Sequence, residues 1–306
     1  MISGERILIT GITGPVPIPI ATMLAAENEV WGLARFTDPE VRNRLEALGI
    51  TTRRVDMAKP DLSDVPDNFT YVLQCAHARM QSGEFLLATQ INAIGAGHVL
   101  HHCRKAKGAL IFSSCTVYSP RNDDVYRPLK EEDDIGGAAA PWAPTSCASK
   151  VSLEAVSRFC AEAFDLPTTI ARAGIVYGPE GGMPVSDMEK VVAGETIHTF
   201  ADPYPHTVIH AGDMCDQVEP MLDAASSPAT IVNWVGDEVV TTREWCEQAA
   251  DLAGTSFEMK VTPVPGAPAS DVGDNTRRMS ITGPCRRVFR RELESLFRDR
   301  HPEASR

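Results

Sequence analysis

Short runs of β-branched and apolar residues alternate with helix-length segments through the first 171 residues of the chain. The runs lie at 6–10, 30–34, 52–55, 71–75, 110–113 and 168–171, and helical stretches between them include 85–105 and 146–164. Strands that alternate with helices are joined by crossover connections and pair in parallel. Right-handed crossovers then cover both faces of the sheet with helices, which predicts a doubly wound α/β fold with its ligand at the carboxyl ends of the strands. After Gly178 the pattern loosens and Pro and Gly become frequent. A further strand is read at 231–236 and a helix at 242–253, with Thr241 or Thr242 as cap and Gly254 as stop. Residues 262–275 form a Pro/Gly/Asp-rich connector, and an Arg-rich amphipathic helix follows Pro284, its apolar side formed by Phe289, Leu293, Leu296 and Phe297. The expected organisation is a dinucleotide-binding domain over 1–178, to which about 207–254 returns, and a smaller intergrown substrate-binding region over 179–206 and 255–306.

The first run ends in a glycine turn, Thr10-Gly11-Ile12-Thr13-Gly14-Pro15-Val16-Pro17. A strand, a glycine-rich turn and a helix make an anion site of the Rossmann type, because backbone N–H groups and the positive end of the helix dipole point at the phosphates. Gly11 permits the tight turn and Gly14 the close approach. Pro17 stands where a G-x-x-G-x-x-G spacing would place a third glycine, and Pro15 has no N–H to give a phosphate. Pro15, Pro17 and Pro19 together predict a helix that starts late or is distorted. On this motif alone, a turn with no ligand is the plain alternative. The second run ends Leu33-Ala34-Arg35. A carboxylate there would accept from the ribose hydroxyls of NAD, whereas an arginine meets the 2′-phosphate of NADP. Arg35, with Arg53 or Arg54, therefore favours NADP over NAD; a solvated arginine is the bland reading. Asp56, just past the third run, is placed to hydrogen-bond the adenine amino group.

A net charge of −12 argues against nucleic acid or an anionic membrane as the main partner and leaves a small-molecule substrate as the expectation. The eight cysteines contain no C-x-x-C pair, so neither a zinc knuckle nor a redox dithiol is indicated. No basic segment followed by an apolar one opens the chain and no apolar run has membrane-spanning length, so a cytoplasmic location is expected.

Seven elements then occur in order: Thr10-Gly11; Asn92-Ala93-Ile94-Gly95; Ser113-Ser114-Cys115-Thr116-Val117-Tyr118; Ser149-Lys150; Arg172-Ala173-Gly174-Ile175-Val176-Tyr177-Gly178-Pro179; His210-Ala211-Gly212-Asp213; and Asn233-Trp234-Val235-Gly236. Together they resemble the extended short-chain dehydrogenase/reductase family, also called the NAD-dependent epimerase/dehydratase family, over nearly the whole chain. The last three are similar to its R-P-x-x-V-Y-G-P, H-V-D-D and N-x-G segments. The resemblance implies an NAD(P)-dependent oxidoreductase in which Ser114 hydrogen-bonds a substrate oxygen and Lys150 holds the nicotinamide ribose. It implies cofactor contacts at Gly11, Thr13, Gly14, Val16, Arg35, Asp56, Cys75, Ala76 and Lys150.

At one position the chain departs from that pattern. Four residues before Lys150, where the family's Tyr-x-x-x-Lys places the tyrosine that moves the proton, stands Ser146. A phenol ionises near pH 10, and a nearby ammonium brings it lower. An aliphatic hydroxyl is far less acidic and reaches less far. Three readings follow. Another group supplies the proton: Tyr118, Tyr177, Tyr204, His206, His210 or a water held by Ser114 and Ser146. Alternatively, the chemistry no longer needs a phenol, or the chain binds a dinucleotide without catalysis. Tyr126 to Lys130 also spells Y-x-x-x-K, but Pro128 inside it argues against a shared helix face, and the match is read as coincidence.

Many members of the family act on nucleotide-diphosphate sugars, whose two phosphates call for cations. Between Gly178 and Thr276 the Lys and Arg residues are Lys190, Arg243 and Lys260, and Pro205-His206-Thr207 replaces the family's usual phosphate arginine. Arg277 or Arg278 would be the exception if either reached in. A non-nucleotide hydroxy or keto substrate is therefore expected, with Met183, Met188, Phe200, Tyr204 and Trp234 as pocket lining or core. His198, His206 and His210 match no metal spacing, and no metal is expected. Cys115 and Cys147 flank the site and read first as small filler. Arg277, Arg278, Arg286, Arg287, Arg290 and Arg291 form either a solvated face or a contact with an acidic face of a second subunit in a homodimer. The leading expectation is an oxidoreductase. The alternatives are a non-redox isomerase, dehydratase or lyase on the same scaffold, or a non-catalytic dinucleotide-binding protein.

Overall fold

The computed structural model describes residues 2–78, 80, 84–120, 123–136 and 145–303. Its main sheet contains β1 (Arg6–Thr10), β2 (Glu29–Ala34), β3 (Thr51–Arg54), β4 (Tyr71–Gln74), β5 (Gly108–Ser114) and β6 (Thr168–Ala173), each within two residues of a predicted run. A seventh strand, Thr230–Trp234, pairs with β6, and all seven are parallel. The order across the sheet is Thr230–Trp234, β6, β5, β4, β1, β2, β3. It reverses between β1 and β4, so a crevice opens beyond the carboxyl ends of those two strands.

Alternate residues of β1 feed separate cores. Ile7 and Ile9 pack with Ile20, Leu24, Met214 and Val218 under helices Pro17–Ala25 and Ala211–Asp223. Leu8 packs with Val99, Leu100, Leu153 and Cys160 under helices Gly95–His102 and Ser146–Phe164. A strand buried on both faces reads as a continuous apolar run, as RILIT does. The helix predicted over 85–105 is three segments: Phe85–Thr89, a wide turn of π type over Gln90–Ile94, and Gly95–His102. Helix Ala211–Asp223 is not legible in the sequence, because Gly212 and Pro220 obscure its pattern.

β6 runs through Gly174 into a strand of a second sheet, ordered Glu238–Thr241, Pro205–His210, Ile175–Gly178, Gly181–Gly182. A Cβ on Gly174 would lie 2.8 Å from the Thr207 carbonyl oxygen, so the two sheets meet at a point that requires glycine. Helices Met183–Val192, Thr242–Ala253 and Phe289–Arg300 close a third core around Trp245, Phe289, Leu293 and Phe297. Thr241 caps Thr242–Ala253 with a capping box to Glu244, and Gly254 ends it at φ 63°, as the sequence indicates.

Candidate active site

The crevice is built by one threonine and one glycine. Thr10 donates to Gln74 Oε1 at 2.8 Å and accepts from the Cys75 and Ala76 N–H groups at 3.1 Å, which locks the end of β4 to the end of β1. Gly11 has φ 62°, and a Cβ on it would sit 2.5 Å from Ala76 Cα. Gly11, Cys75 and Ala76, all expected at the cofactor, are thus brought together. The Gly14 N–H closes the turn onto Gly11 O at 3.1 Å, and the helix begins at Pro17 with proline at its first position, later than a glycine-rich turn would start it. Gly11 N–H donates to Leu33 O and neither proline has an N–H, so among the described residues the turn's backbone donors that remain for a phosphate are Ile12, Thr13 and Val16. The close approach of Gly11 to the Ala76 backbone, with the Ile12, Thr13 and Val16 N–H groups beside a helix start, fits a dinucleotide.

At the adenosine end, Arg35 is exposed directly after β2. The register Ala34↔Arg54 brings Arg54 to the adjacent strand end. Arg53 lies over the Trp31 ring instead. Asp56 is exposed, with Oδ1 accepting from the Ala58 N–H at 2.9 Å.

Ser114 ends β5. Its oxygen accepts from the Thr116 N–H at 3.2 Å and the Thr116 hydroxyl at 3.0 Å, which leaves the Ser114 O–H to donate to a third group. Ser146 and Lys150 stand one turn apart on helix Ser146–Phe164 and so share a face. Lys150 is buried and its Nζ donates to Phe112 O at 2.5 Å. Burial pushes the Cys75 thiol well up, with the Lys150 ammonium acting against that shift. Thr116, which holds Ser114, also faces the Cys147 thiol next to Ser146. Burial raises that thiol and the Cys115 thiol above their ordinary range, which keeps both protonated filler.

One residue that sequence reasoning missed lies against Ser146. His77, two residues beyond Cys75, has Nε2 3.3 Å from Ser146 Oγ. Asn92 clamps the loop that carries it: Nδ2 donates to Ala78 O at 2.9 Å and Oδ1 accepts from Ala78 N–H at 2.7 Å. Asn92 Nδ2 also donates to Ser149 Oγ at 3.0 Å, and the π-type turn around Asn92 aims it inward. Thr145 Oγ1 donates to Met80 O at 3.0 Å. The signal for His77 was its place just past a strand at the switch point, where ligand-facing residues concentrate.

The alternative proton donors weighed from the sequence are committed elsewhere. Tyr118 donates to Asn233 Oδ1 at 2.6 Å, accepts from Arg172 Nη1 at 3.0 Å, and is driven well above the usual phenol range by burial. Burial raises Tyr177 and Tyr204 likewise. His206 stacks on Trp245 and contacts Thr242 Oγ1 at 3.2 Å; burial pushes it down to about 3. His210 Nδ1 accepts from Gly212 N–H at 3.0 Å as a helix cap, and burial, then Arg287, pushes it down to about 4.

Most cations of the second half that were candidates for a substrate phosphate are internally paired. Arg243 bonds Asp202, Arg277 bonds Glu132 and Ile231 O, buried Arg278 bonds Asp237 and Gly283 O, and Lys190 bonds Asp187. Arg287 bridges Asp213 and Asp216 at 3.1 and 2.9 Å, and Arg286 lies 3.7 Å from Asp216. Much of the arginine cluster thus meets acids of its own chain rather than requiring those of a second subunit. Among the described residues, no helix is long and apolar enough to cross a membrane.

The model of the NAD dependent epimerase/dehydratase family matches residues 7–233. No curated protein matches the chain by sequence. Among solved structures, UDP-glucuronic acid 4-epimerase from Bacillus cereus, in complex with UDP-glucuronic acid and NAD, superposes with TM-score 0.81 at 18% identity, covering 95% of this chain and 98% of its own. UDP-N-acetylglucosamine 4-epimerase from Methanobrevibacter ruminantium gives 0.82 at 19%, covering 98% and 100%. UDP-glucose 4-epimerase from Thermus thermophilus, in complex with NAD, gives 0.79 at 22%, covering 96% and 99%. The fold is theirs, and by the extent of the family match the chain belongs to the NAD dependent epimerase/dehydratase family.

Proposed function

We propose that residues 1–178 and about 207–254 bind NAD(P)(H) across the crevice between β1 and β4, and that 179–206 with 255–306 bind a hydroxy or keto compound against it. The observation that supports this reading is the Lys150 Nζ bond to Phe112 O, which sets the lysine against β5, the strand that ends in Ser114 and pairs with β4 beside the crevice. The nicotinamide, when bound, supplies or takes the hydride. Ser114 donates its O–H to the substrate oxygen, and Lys150 orients the ribose and places a positive charge where that oxygen becomes anionic. Thr13 and Val16 N–H groups meet the pyrophosphate, Cys75 and Ala76 form the floor, and Asp56 meets the adenine.

Arg35, with Arg54 beside it, supports a preference for NADP; the NAD complexes of the solved relatives support NAD. The internal pairing of Arg243, Arg277 and Arg278 supports a non-nucleotide substrate, against the UDP-sugars held by those relatives. The loss of the phenol at Ser146 supports the second reading, an isomerase, dehydratase or lyase that uses the cofactor transiently. A homodimer would be served by exposed Leu86, Ile94 and Phe159, on helical segments that pack on one another.

Titration with NADPH and NADH, followed by nicotinamide fluorescence and thermal stabilisation, tests the cofactor. Incubation of the loaded protein with UDP-glucose, UDP-glucuronic acid, cyclohexanol and 1-phenylethanol tests the substrate. We expect tighter binding of NADPH and reduction of the oxidised cofactor by a non-nucleotide alcohol. Binding of neither cofactor overturns the reading. Turnover of a UDP-sugar alone overturns the substrate class, and binding without turnover favours the second reading.

A further inference from the structure

We propose that Ser146 and His77 together replace the missing phenol: Ser146 Oγ exchanges a proton with the substrate oxygen, and His77 Nε2 holds that proton. This deepens the reading above and rests on it.

An aliphatic hydroxyl serves as acid or base only with a second group behind it, to take its proton or return one. Imidazole is the side chain suited to that task near neutral pH. His77 Nε2 lies 3.3 Å from Ser146 Oγ, and both residues are half-buried. The long separation fits a site whose hydrogen bonds tighten when substrate enters.

Three side chains hold the pair together. Asn92 grips both polar atoms of the Ala78 peptide, next to His77, and also reaches Ser149 on the helix that carries Ser146. Ser149 Oγ in turn donates to Ser146 O at 3.0 Å. Thr145, immediately before Ser146, donates to Met80 O. The loop after β4 is therefore fastened to the first turn of helix Ser146–Phe164 on either side of the His77–Ser146 contact. Lys150 is one turn further along the same face, and the start of a 19-residue helix favours negative charge developing on Ser146 Oγ. A short side chain at 146 and an imidazole behind it occupy the ground that a single phenol would cover.

In alcohol oxidation, the substrate O–H proton passes to Ser146 Oγ while the Ser146 proton passes to His77 Nε2. The substrate carbon gives its hydride to the oxidised nicotinamide, leaving a carbonyl compound and an imidazolium. In the reverse direction the carbon receives hydride, and the imidazolium returns the proton through Ser146.

The test combines a resonance with a rescue. In the full chain, Ser146→Ala is expected to move the His77 Nε2 nitrogen resonance, assigned by its loss in His77→Gln. NADPH and NADH binding should stay unchanged in both variants. With whichever of the four compounds above reduces the cofactor, each variant should lose about 100-fold or more in kcat. Ser146→Tyr placed in the His77→Gln background should regain at least tenfold, roughly the low end of what a positioned acid contributes. A purely structural role for His77 would not be relieved by a phenol at 146. A resonance that does not move in Ser146→Ala, or a His77→Gln protein that binds cofactor and keeps wild-type kcat, overturns the pair alone. Failure of the wild type to bind either cofactor overturns the underlying reading, and this one with it.

Discussion

Arg172 and Glu154 form a two-pronged ion pair in the interior, with Nε to Oε1 at 3.0 Å and Nη2 to Oε2 at 2.8 Å, both side chains almost fully buried. Ser113 donates to the same carboxylate at 2.5 Å, and Arg172 Nη1 reaches Tyr118 and Glu131 O, each at 3.0 Å. β5, β6 and helix Ser146–Phe164 are thereby tied together directly beneath Ser114. Glu154→Gln keeps the volume and strands the Arg172 charge away from water, which costs about 3–5 kcal/mol. We expect a matching fall in the urea midpoint at unchanged slope. The double variant Glu154→Leu with Arg172→Met should recover most of the loss, because removing both charges removes the desolvation penalty with them.

Gly11 and Gly14 separate the two demands of the phosphate turn. At Gly11 the φ is positive and a Cβ would approach the Ala76 backbone to 2.5 Å, so an alanine has no room, and a strained backbone alone costs about 1–3 kcal/mol. At Gly14 the nearest atom is Pro17 Cδ at 3.3 Å, a contact relieved by a small shift. Gly11→Ala should therefore lower the melting temperature and abolish nicotinamide fluorescence enhancement. Gly14→Ala should fold normally and weaken cofactor binding only. Equal melting temperatures for the two would contradict the crowding at Ala76.

The strands, the helix 146–164 and the glycine turn were legible because each follows from local pattern: short apolar runs buried on both faces, an apolar face, a residue without Cβ. Ser114, Gly11, Cys75 and Ala76 lie at or just past the carboxyl ends of β5, β1 and β4, which converge at a switch point whatever the intervening loops, and Lys150 is set against β5 from its helix. What stayed hidden depends on contacts distant in sequence. His77 meets Ser146 across 69 residues, and its place just past β4 was its one signal in the sequence. Tyr118 looked free to move a proton until Arg172 and Asn233 were seen to hold it. The arginines near the C-terminus looked like an outward face because Asp213 and Asp216, their partners, lie some 70 residues earlier.

Arg35 is the residue on which the proposed preference for NADP can be tested. It is exposed at the end of β2, where a 2′-phosphate would sit and where Arg54 adds a second positive charge. Arg35→Ala should weaken NADPH about tenfold, a loss of about 1.4 kcal/mol, and leave NADH unchanged. Isothermal titration with both nucleotides measures it. An equal loss for both would place Arg35 on the shared pyrophosphate instead.

Two buried histidines and the half-buried Asp271, beside the second sheet, contribute to how stability varies with pH. Burial lowers His206 from 6.5 to about 3 and His210 from 6.5 to about 4, and raises Asp271 from 3.8 to about 6. Between about pH 4 and 6.5 the unfolded chain takes up protons at both histidines that the folded protein refuses, so stability rises with pH there. Asp271 acts in the opposite sense: the folded protein keeps a proton that the unfolded chain has released, so its part of the stability is lost as pH rises through about 6. Two groups against one leave a net rise of stability with pH over about pH 4 to 6. Asp271→Asn removes the opposing group, so the slope should steepen and the protein should gain stability at neutral pH. Urea midpoints taken across that range measure both effects. A flat profile in the wild type, or an Asp271→Asn protein no more stable at neutral pH, would show that these side chains reach water in the folded state.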